Sequence, residues 1–288
     1  MKRPVNWLRR LSVAPARASR TLAVSAGVSL IRFGACVFLI STTLSGLVLP
    51  WFGMSWWVVF RRCVSIASLI SLWLCIKQFE GRSFRSYGFS ARGAGKRHLL
   101  FGLFIGVVAL ALLVGIGLAC GAYTIDITPD RAKLWRTVLG FIPTAVLVSV
   151  LEELVFRGFI LQHLLTAYSK TFAILASGSL YAIVHLKTVT LTMATCMELV
   201  GLCLLGGVLA LSYLRTGQLH LAVGLHAALA YGARVNKLLI GFPYPSMSWL
   251  VGTSRLVNGL IGWVILLAVG AIVLWWARSS HGGAHEDA

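Results

Sequence analysis

The composition of this chain excludes an ordinary soluble domain. Of its 288 residues, 58% are hydrophobic and only 12% are charged, whereas a soluble domain averages about 25% charged residues. The net charge of +18 comes from 26 lysines and arginines against 8 acids, and the basic residues cluster at the ends of apolar stretches. This distribution is typical of the positive-inside rule and of contact with anionic headgroups. We therefore expect membrane lipids, and not nucleic acid, as partners.

About eight apolar stretches have the length that crosses a bilayer, which is about 20 residues. We read all of them as α-helices, because lipid offers no partner to unpaired backbone groups. The predicted fold is all-α, a polytopic transmembrane helix bundle of about eight spans. In chain order the predicted spans are residues 33–52, 58–76, 99–122, 134–151, 171–186, 189–214, 219–235 and 257–277. The fourth span is expected to continue as a helix toward Leu165.

Three parts are predicted along the chain. Residues 1–32 form a basic cytoplasmic segment, residues 33–278 form the transmembrane domain, and residues 279–288 form a disordered tail. The first segment and the loop at 77–97 are rich in lysine and arginine, so both are predicted to face the cytoplasm. Alternation then places both termini inside, and we expect a multi-pass protein of a bacterial plasma membrane.

Ionisable residues within the spans are the most informative feature of the sequence, because each costs several kcal/mol in lipid. Glu152, Glu153 and Glu198 lie in apolar stretches, and His185 and His226 lie in two other spans. Helix bundles build metal and catalytic sites from side chains that face one another in this way. Simple alternation, however, puts Glu152 in the inner part of its span and His185 near the outer end of the next. A shared site therefore requires tilted or shifted helices.

The spacing of the motif LEELVFRG gives its charges different roles. Glu153 and Arg157 are four residues apart on a helix, so Arg157 can neutralise Glu153 on a shared face. Glu152 lies about 100° around the helix from Glu153 and is free to face another neighbour. A simple Glu–Arg contact explains Glu153 and Arg157 but leaves Glu152 unexplained. For Glu198, we expect either a place in the same site or a pairing with Lys187 or Arg215.

Two chemistries suit this set of residues. In one, a glutamate and a histidine polarise a water for attack on a peptide bond, while the second histidine supports the oxyanion. In the other, Glu152, His185 and His226 bind a divalent metal such as zinc, which lowers the pKa of its bound water. The residue types leave open whether the protein uses a metal or no cofactor.

The motifs resemble those of the CPBP family, which includes CAAX proteases, their bacterial relatives and bacteriocin-processing proteins and is also called the Abi family. The resemblance rests on EExxxR at residues 152–157, on an aromatic-xxx-His pattern at residues 181–185 and on the histidine His226. It covers roughly residues 134–235. It implies an eight-helix intramembrane endopeptidase of the glutamic type, with a peptide or a membrane protein as substrate.

The resemblance also implies a role for each matched residue. Glu152 would activate the water, His185 would assist it, and His226 would help to hold the oxyanion. The residues in supporting roles would be Glu153, Arg157 and Tyr181.

Two positions depart from the family pattern. Tyr181 stands where the family usually has phenylalanine, and Ala230 stands where it usually has asparagine or aspartate, which removes an oxyanion donor. Such a loss keeps open a catalytically weak or inactive member that acts as a membrane immunity or scaffold protein. A proton-coupled transporter is a further alternative, although the sequence shows no inverted repeats.

Overall fold

The computed structural model describes residues 16–81, 83–89, 95–185, 190, 192–253 and 255–282. Across these residues the chain is almost entirely helical, which confirms the predicted all-α class. The exception is a two-stranded antiparallel pair, in which β1 (Thr124–Ile125) joins β2 (Ile240–Gly241). The α-helices in chain order are α1 (Ala16–Val48), α2 (Trp56–Leu74), α3 (Gly95–Ala119), α4 (Arg131–Glu153), α5 (Leu161–Ala167), α6 (Lys170–Val184), α7 (Met193–Thr216), α8 (His220–Leu239), α9 (Ser248–Val251) and α10 (Leu260–Gly282).

Shorter helical segments complete the path of the chain. Three 3-10 helices occupy Leu49–Trp51, Phe84–Tyr87 and Pro245–Met247. Two π-helical segments, π1 and π2, occupy Cys75–Phe79 and Leu154–Ile160. The segment π2 joins α4 to α5, so the fourth predicted span does continue as a helix beyond Leu165.

Five helical stretches of the described chain are long and apolar enough to cross a membrane. They are Val24–Trp51, Trp56–Gln78, Gly95–Ala119, Arg131–Ala167 and Met193–Thr216, and two shorter apolar helices are Lys170–Val184 and Leu260–Trp276. These helices support an integral membrane protein, as the composition predicts. The count of eight spans stays a prediction.

The ends of the chain differ from the predicted boundaries. The helix α1 begins at Ala16, inside the segment predicted to precede the first span, and residues 1–15 lie outside the described residues. At the other end α10 continues to Gly282, so residues 279–282 of the predicted disordered tail are helical. The rest of that tail, residues 283–288, lies outside the described residues. Helix extends past each apolar run because backbone hydrogen bonding does not stop where hydrophobicity does.

The helices divide into two compact units. Unit 1 comprises Met1–Ser86 with Phe159–Ala173, and unit 2 comprises Tyr87–Gly158 with Ile174–Ala288. In unit 1, His163 Nε2 lies 2.9 Å from Glu80 Oε1. Unit 2 contains α3, α4, the part of α6 from Ile174 onward and α7 to α10, and with them every residue predicted for the site.

Close packing of α3 against α8 sets the orientation of α8 in unit 2. A Cβ atom at Gly102 would clash with the Leu221 carbonyl, and one at Gly224 would clash with the Leu99 carbonyl. The backbones approach this closely because glycine has no side chain, as in many membrane helix pairs. Gly224 and Leu225 pack on α3. Each further residue of a helix is turned by about 100°, so His226 faces a different neighbour.

We predict that Gly102→Ala lowers the melting temperature in detergent micelles. The added methyl group overpacks the α3–α8 contact, and overpacking typically costs about 1–3 kcal/mol. The matched control is Gly115→Ala in the same helix, where nothing lies within 4 Å of the added atom. Thermal unfolding followed by circular dichroism measures both variants. Equal melting temperatures for the two variants would contradict the close packing of α3 against α8 at Gly102.

Candidate active site

A buried ion pair lies where α4 ends and π2 begins. Arg157 Nη1 donates to Glu153 Oε1 at 2.8 Å, and both side chains are fully buried. This is the pairing that the four-residue spacing predicts. Segments of π-helix inside α-helices occur frequently at functional sites, and this one begins directly after the two adjacent glutamates.

Arg157 also ties π2 to α7. Its Nη2 donates to the Gly206 carbonyl at 3.0 Å. Gly206 lies where α6 and α7 cross at close range, since a Cβ atom there would be 2.8 Å from the Cα of Gly178. The sequence motifs did not include Gly178 or Gly206. Their small size in apolar helices was the available signal, but glycine is too common in membrane helices to single them out.

Glu153 binds a second donor through the same oxygen. His226 Nδ1 lies 2.9 Å from Glu153 Oε1. The guanidinium of Arg157 has donors only, so the Glu153 oxygen that it contacts acts as an acceptor. The Nδ1 atom of His226 therefore carries a proton and donates it to this bond. Glu153 thus orients the His226 ring, a link between α4 and α8 that the sequence did not reveal.

Glu152 faces both histidines. Its Oε2 lies 3.2 Å from His185 Nε2 and 3.8 Å from His226 Nε2. The side chains of Glu152 and His185 are 28% and 29% exposed, whereas that of His226 is 7% exposed. Within the described chain, Glu152 Oε2 is buried and has no well-aligned hydrogen-bond partner. The structure thus brings together three residues from different helices, despite the different depths that alternation suggests.

Tyr181 contacts both histidines. His185 directly follows α6, and its Nδ1 lies 2.7 Å from the Tyr181 carbonyl. The Tyr181 hydroxyl lies 3.5 Å from His226 Nε2. The Arg157 guanidinium lies 4.8 Å from the centroid of the Tyr181 ring, a distance typical of a cation–π contact.

The remaining polar candidates have other surroundings. Glu198 accepts a hydrogen bond from Arg255 Nη1, a partner that neither of the predicted pairings anticipates. Of those two, Lys187 lies outside the described residues. Ala230 follows His226 by one turn of α8 and presents a methyl group, so its side chain brings no hydrogen-bond donor.

The described residues show no cluster of side chains arranged to bind a metal ion. No group of three or more histidine, cysteine, aspartate or glutamate residues among them has an arrangement that could hold a metal ion. The set Glu152, His185 and His226 therefore stays a prediction as far as metal binding is concerned.

We predict that Arg157→Met strongly destabilises the protein, because it leaves Glu153 buried without its cation. Breaking a buried pair by removing one partner costs about 3–5 kcal/mol. The control is Arg255→Met, which removes a cation from the partly exposed Glu198 pair and should cost at most about 1 kcal/mol. Denaturant unfolding in mixed micelles measures both. The double variant Glu153→Gln/Arg157→Met should recover part of the lost free energy of unfolding. Equal losses for Arg157→Met and Arg255→Met would contradict the buried Glu153–Arg157 pair.

The comparisons with known proteins concern the same segment. Residues 134–231 match a family model described as "Type II CAAX prenyl endopeptidase Rce1-like". A comparison with curated proteins gives no match. The matched residues include all six positions brought together above, which are Glu152, Glu153, Arg157, Tyr181, His185 and His226. This match confirms the resemblance to the CPBP family, and it concerns residues 134–231 of the chain.

Proposed function

We propose that this chain is an intramembrane endopeptidase that hydrolyses a peptide bond with a water activated by Glu152 and His185. The observation that carries the proposal is the 3.2 Å distance between Glu152 Oε2 and His185 Nε2. Within about 7 Å, two such groups can act on one water, because each needs one hydrogen bond of ordinary length. The family match supports peptide-bond hydrolysis at the level of the family.

Proton accounting supports an acid–base pair. The Tyr181 carbonyl can only accept, so the Nδ1 atom of His185 carries a proton. The second ring nitrogen, Nε2, lies 3.2 Å from Glu152 Oε2, which is close enough for one proton to pass between the two groups. We infer that Glu152 and His185 act as a pair that holds one proton.

Hydrolysis follows in three proton transfers, the last of which restores the starting pair. In the carboxylate–imidazolium form, Glu152 takes a proton from water while the water oxygen bonds to the peptide carbonyl carbon, and the carbonyl electron pair moves to its oxygen. His185 Nε2 then donates its proton to the leaving nitrogen as the C–N bond breaks. The products are a carboxylic acid and an amine. The proton on Glu152 passes to His185 and restores the starting pair.

Glu153 and Arg157 have a positioning role in this scheme. Glu153 accepts from His226 Nδ1, which leaves His226 Nε2 facing the space beside Glu152. There a protonated His226 can donate to the oxyanion of the tetrahedral intermediate. Arg157 holds the Glu153 side chain in place through its hydrogen bond to Oε1, so the ring orientation depends on both residues.

The description of the matching family supports a proposal about the substrate class. We propose a prenylated C-terminal peptide, presented to a site that opens where Glu152 and His185 are partly exposed. We further propose that the catalytic core spans residues 134–235 of a transmembrane domain at 33–278, in a bacterial plasma membrane with both termini cytoplasmic. An immunity or scaffold role is the second candidate, and the observation that favours it is the methyl group at Ala230.

We predict that Glu152→Gln and His185→Ala each lower the cleavage rate by about 10²–10⁴-fold, the contribution typical of general acid–base catalysis. The matched control is Glu198→Gln, which alters a glutamate bound to Arg255 and should retain the wild-type rate. Purified proteins in proteoliposomes are given a farnesylated C-terminal peptide and its unprenylated form, and mass spectrometry follows the products. Undiminished cleavage by Glu152→Gln or His185→Ala would contradict the mechanism. Peptide binding without cleavage by the wild type would favour the scaffold role.

A further inference from the structure

The Tyr181 side chain lies at the centre of the candidate active site. Its residue is only 2% exposed. Its ring centroid lies 4.2 Å from that of His185, and its ring meets those of Phe156 and His226 edge to face. The ring is thus held on several sides, and its orientation aims the hydroxyl at His226.

The hydroxyl itself is only weakly bound. Its contact with His226 Nε2 is 3.5 Å long, beyond the usual range for a hydrogen bond to a hydroxyl. A buried tyrosine hydroxyl ordinarily has a good partner. A weakly held O–H can turn to a stronger acceptor, and hydrogen bonds to an ionised oxygen are roughly twice as strong as neutral ones.

Donor chemistry distinguishes Tyr181 from His226. The Nδ1 proton of His226 is used by Glu153, so Nε2 is a donor only when the ring carries two protons. The tyrosine O–H is a donor in either form of the ring. When the ring is doubly protonated, Nε2 is itself a donor and can no longer accept, so the tyrosine O–H is free for another acceptor.

We propose that the Tyr181 hydroxyl donates a hydrogen bond to the oxyanion of the tetrahedral intermediate. This role rests on the proposed hydrolysis. The hydroxyl provides a donor beside His226 Nε2, whereas Ala230, one turn further along α8, has only a methyl group. Tyr181 is then a catalytic residue. Its hydroxyl takes the place of the oxyanion donor that Ala230 lacks, so the site can still stabilise the oxyanion.

The test begins with Tyr181→Phe in the full chain, in proteoliposomes with the farnesylated peptide. The ring and its packing remain, so the melting temperature should not change. The value of kcat should fall on the order of 10²-fold, the effect of losing one oxyanion donor, while KM stays constant because the ground-state carbonyl gains little from the bond. The matched control is Tyr231→Phe, which removes a hydroxyl that donates to the Val138 carbonyl and should leave kcat unchanged.

A second variant separates catalysis from structure. Adding Ala230→Asn to Tyr181→Phe supplies a new donor on the same face of α8 as His226. The double variant should have a kcat about tenfold or more above that of Tyr181→Phe, because one oxyanion donor is restored. A wild-type kcat for Tyr181→Phe would overturn this role and leave the Glu152–His185 mechanism standing. A lower kcat that comes with a lower melting temperature and no recovery in the double variant would also overturn it. If the wild type cleaves neither peptide, the proposed function fails and this role fails with it.

Discussion

The buried carboxylate of Glu153 is the constraint on which the site depends. A charge in a low-dielectric interior is strongly destabilising unless it is paired and hydrogen-bonded. Glu153 Oε1 receives the guanidinium of Arg157 and the imidazole N–H of His226, and Arg157 also binds the Gly206 carbonyl. One carboxylate therefore links α4 to π2, α7 and α8. Changing any of these contacts would alter both the stability of unit 2 and the orientation of His226.

This arrangement also gives two adjacent glutamates different properties. Glu153 is fully buried, and one of its oxygens accepts from two donors. These contacts fix its side chain and give it a structural role. Glu152, turned about 100° around the same helix, lies near His185 and His226, and its side chain is partly exposed. The fixed Glu153 side chain thus limits the movement of the adjacent Glu152. In the proposed mechanism, such support reduces the reorganisation needed when charge develops.

Much of the fold could be predicted from composition, because lipid permits few structures other than helices. The Glu153–Arg157 pairing could also be predicted, since it depends only on spacing along one helix. The contact between Glu153 and His226 could not, because it depends on how α3 and α8 pack through Gly102 and Gly224. The same holds for Arg255 as the partner of Glu198 and for the 3.2 Å contact between Glu152 and His185. Each of these depends on the relative shift of helices, which hydropathy does not encode.

The most direct measurement is the fate of solvent oxygen in the first turnover. The protein in proteoliposomes is mixed with less than one equivalent of the farnesylated peptide in ¹⁸O-labelled water and quenched with acid at successive times. If Glu152 and His185 activate a water, the new carboxyl group gains one ¹⁸O atom, and the intact protein keeps its unmodified mass at every time. A peptide attached covalently to the protein would show that a side chain attacks the carbonyl. That result would contradict the central role of the activated water.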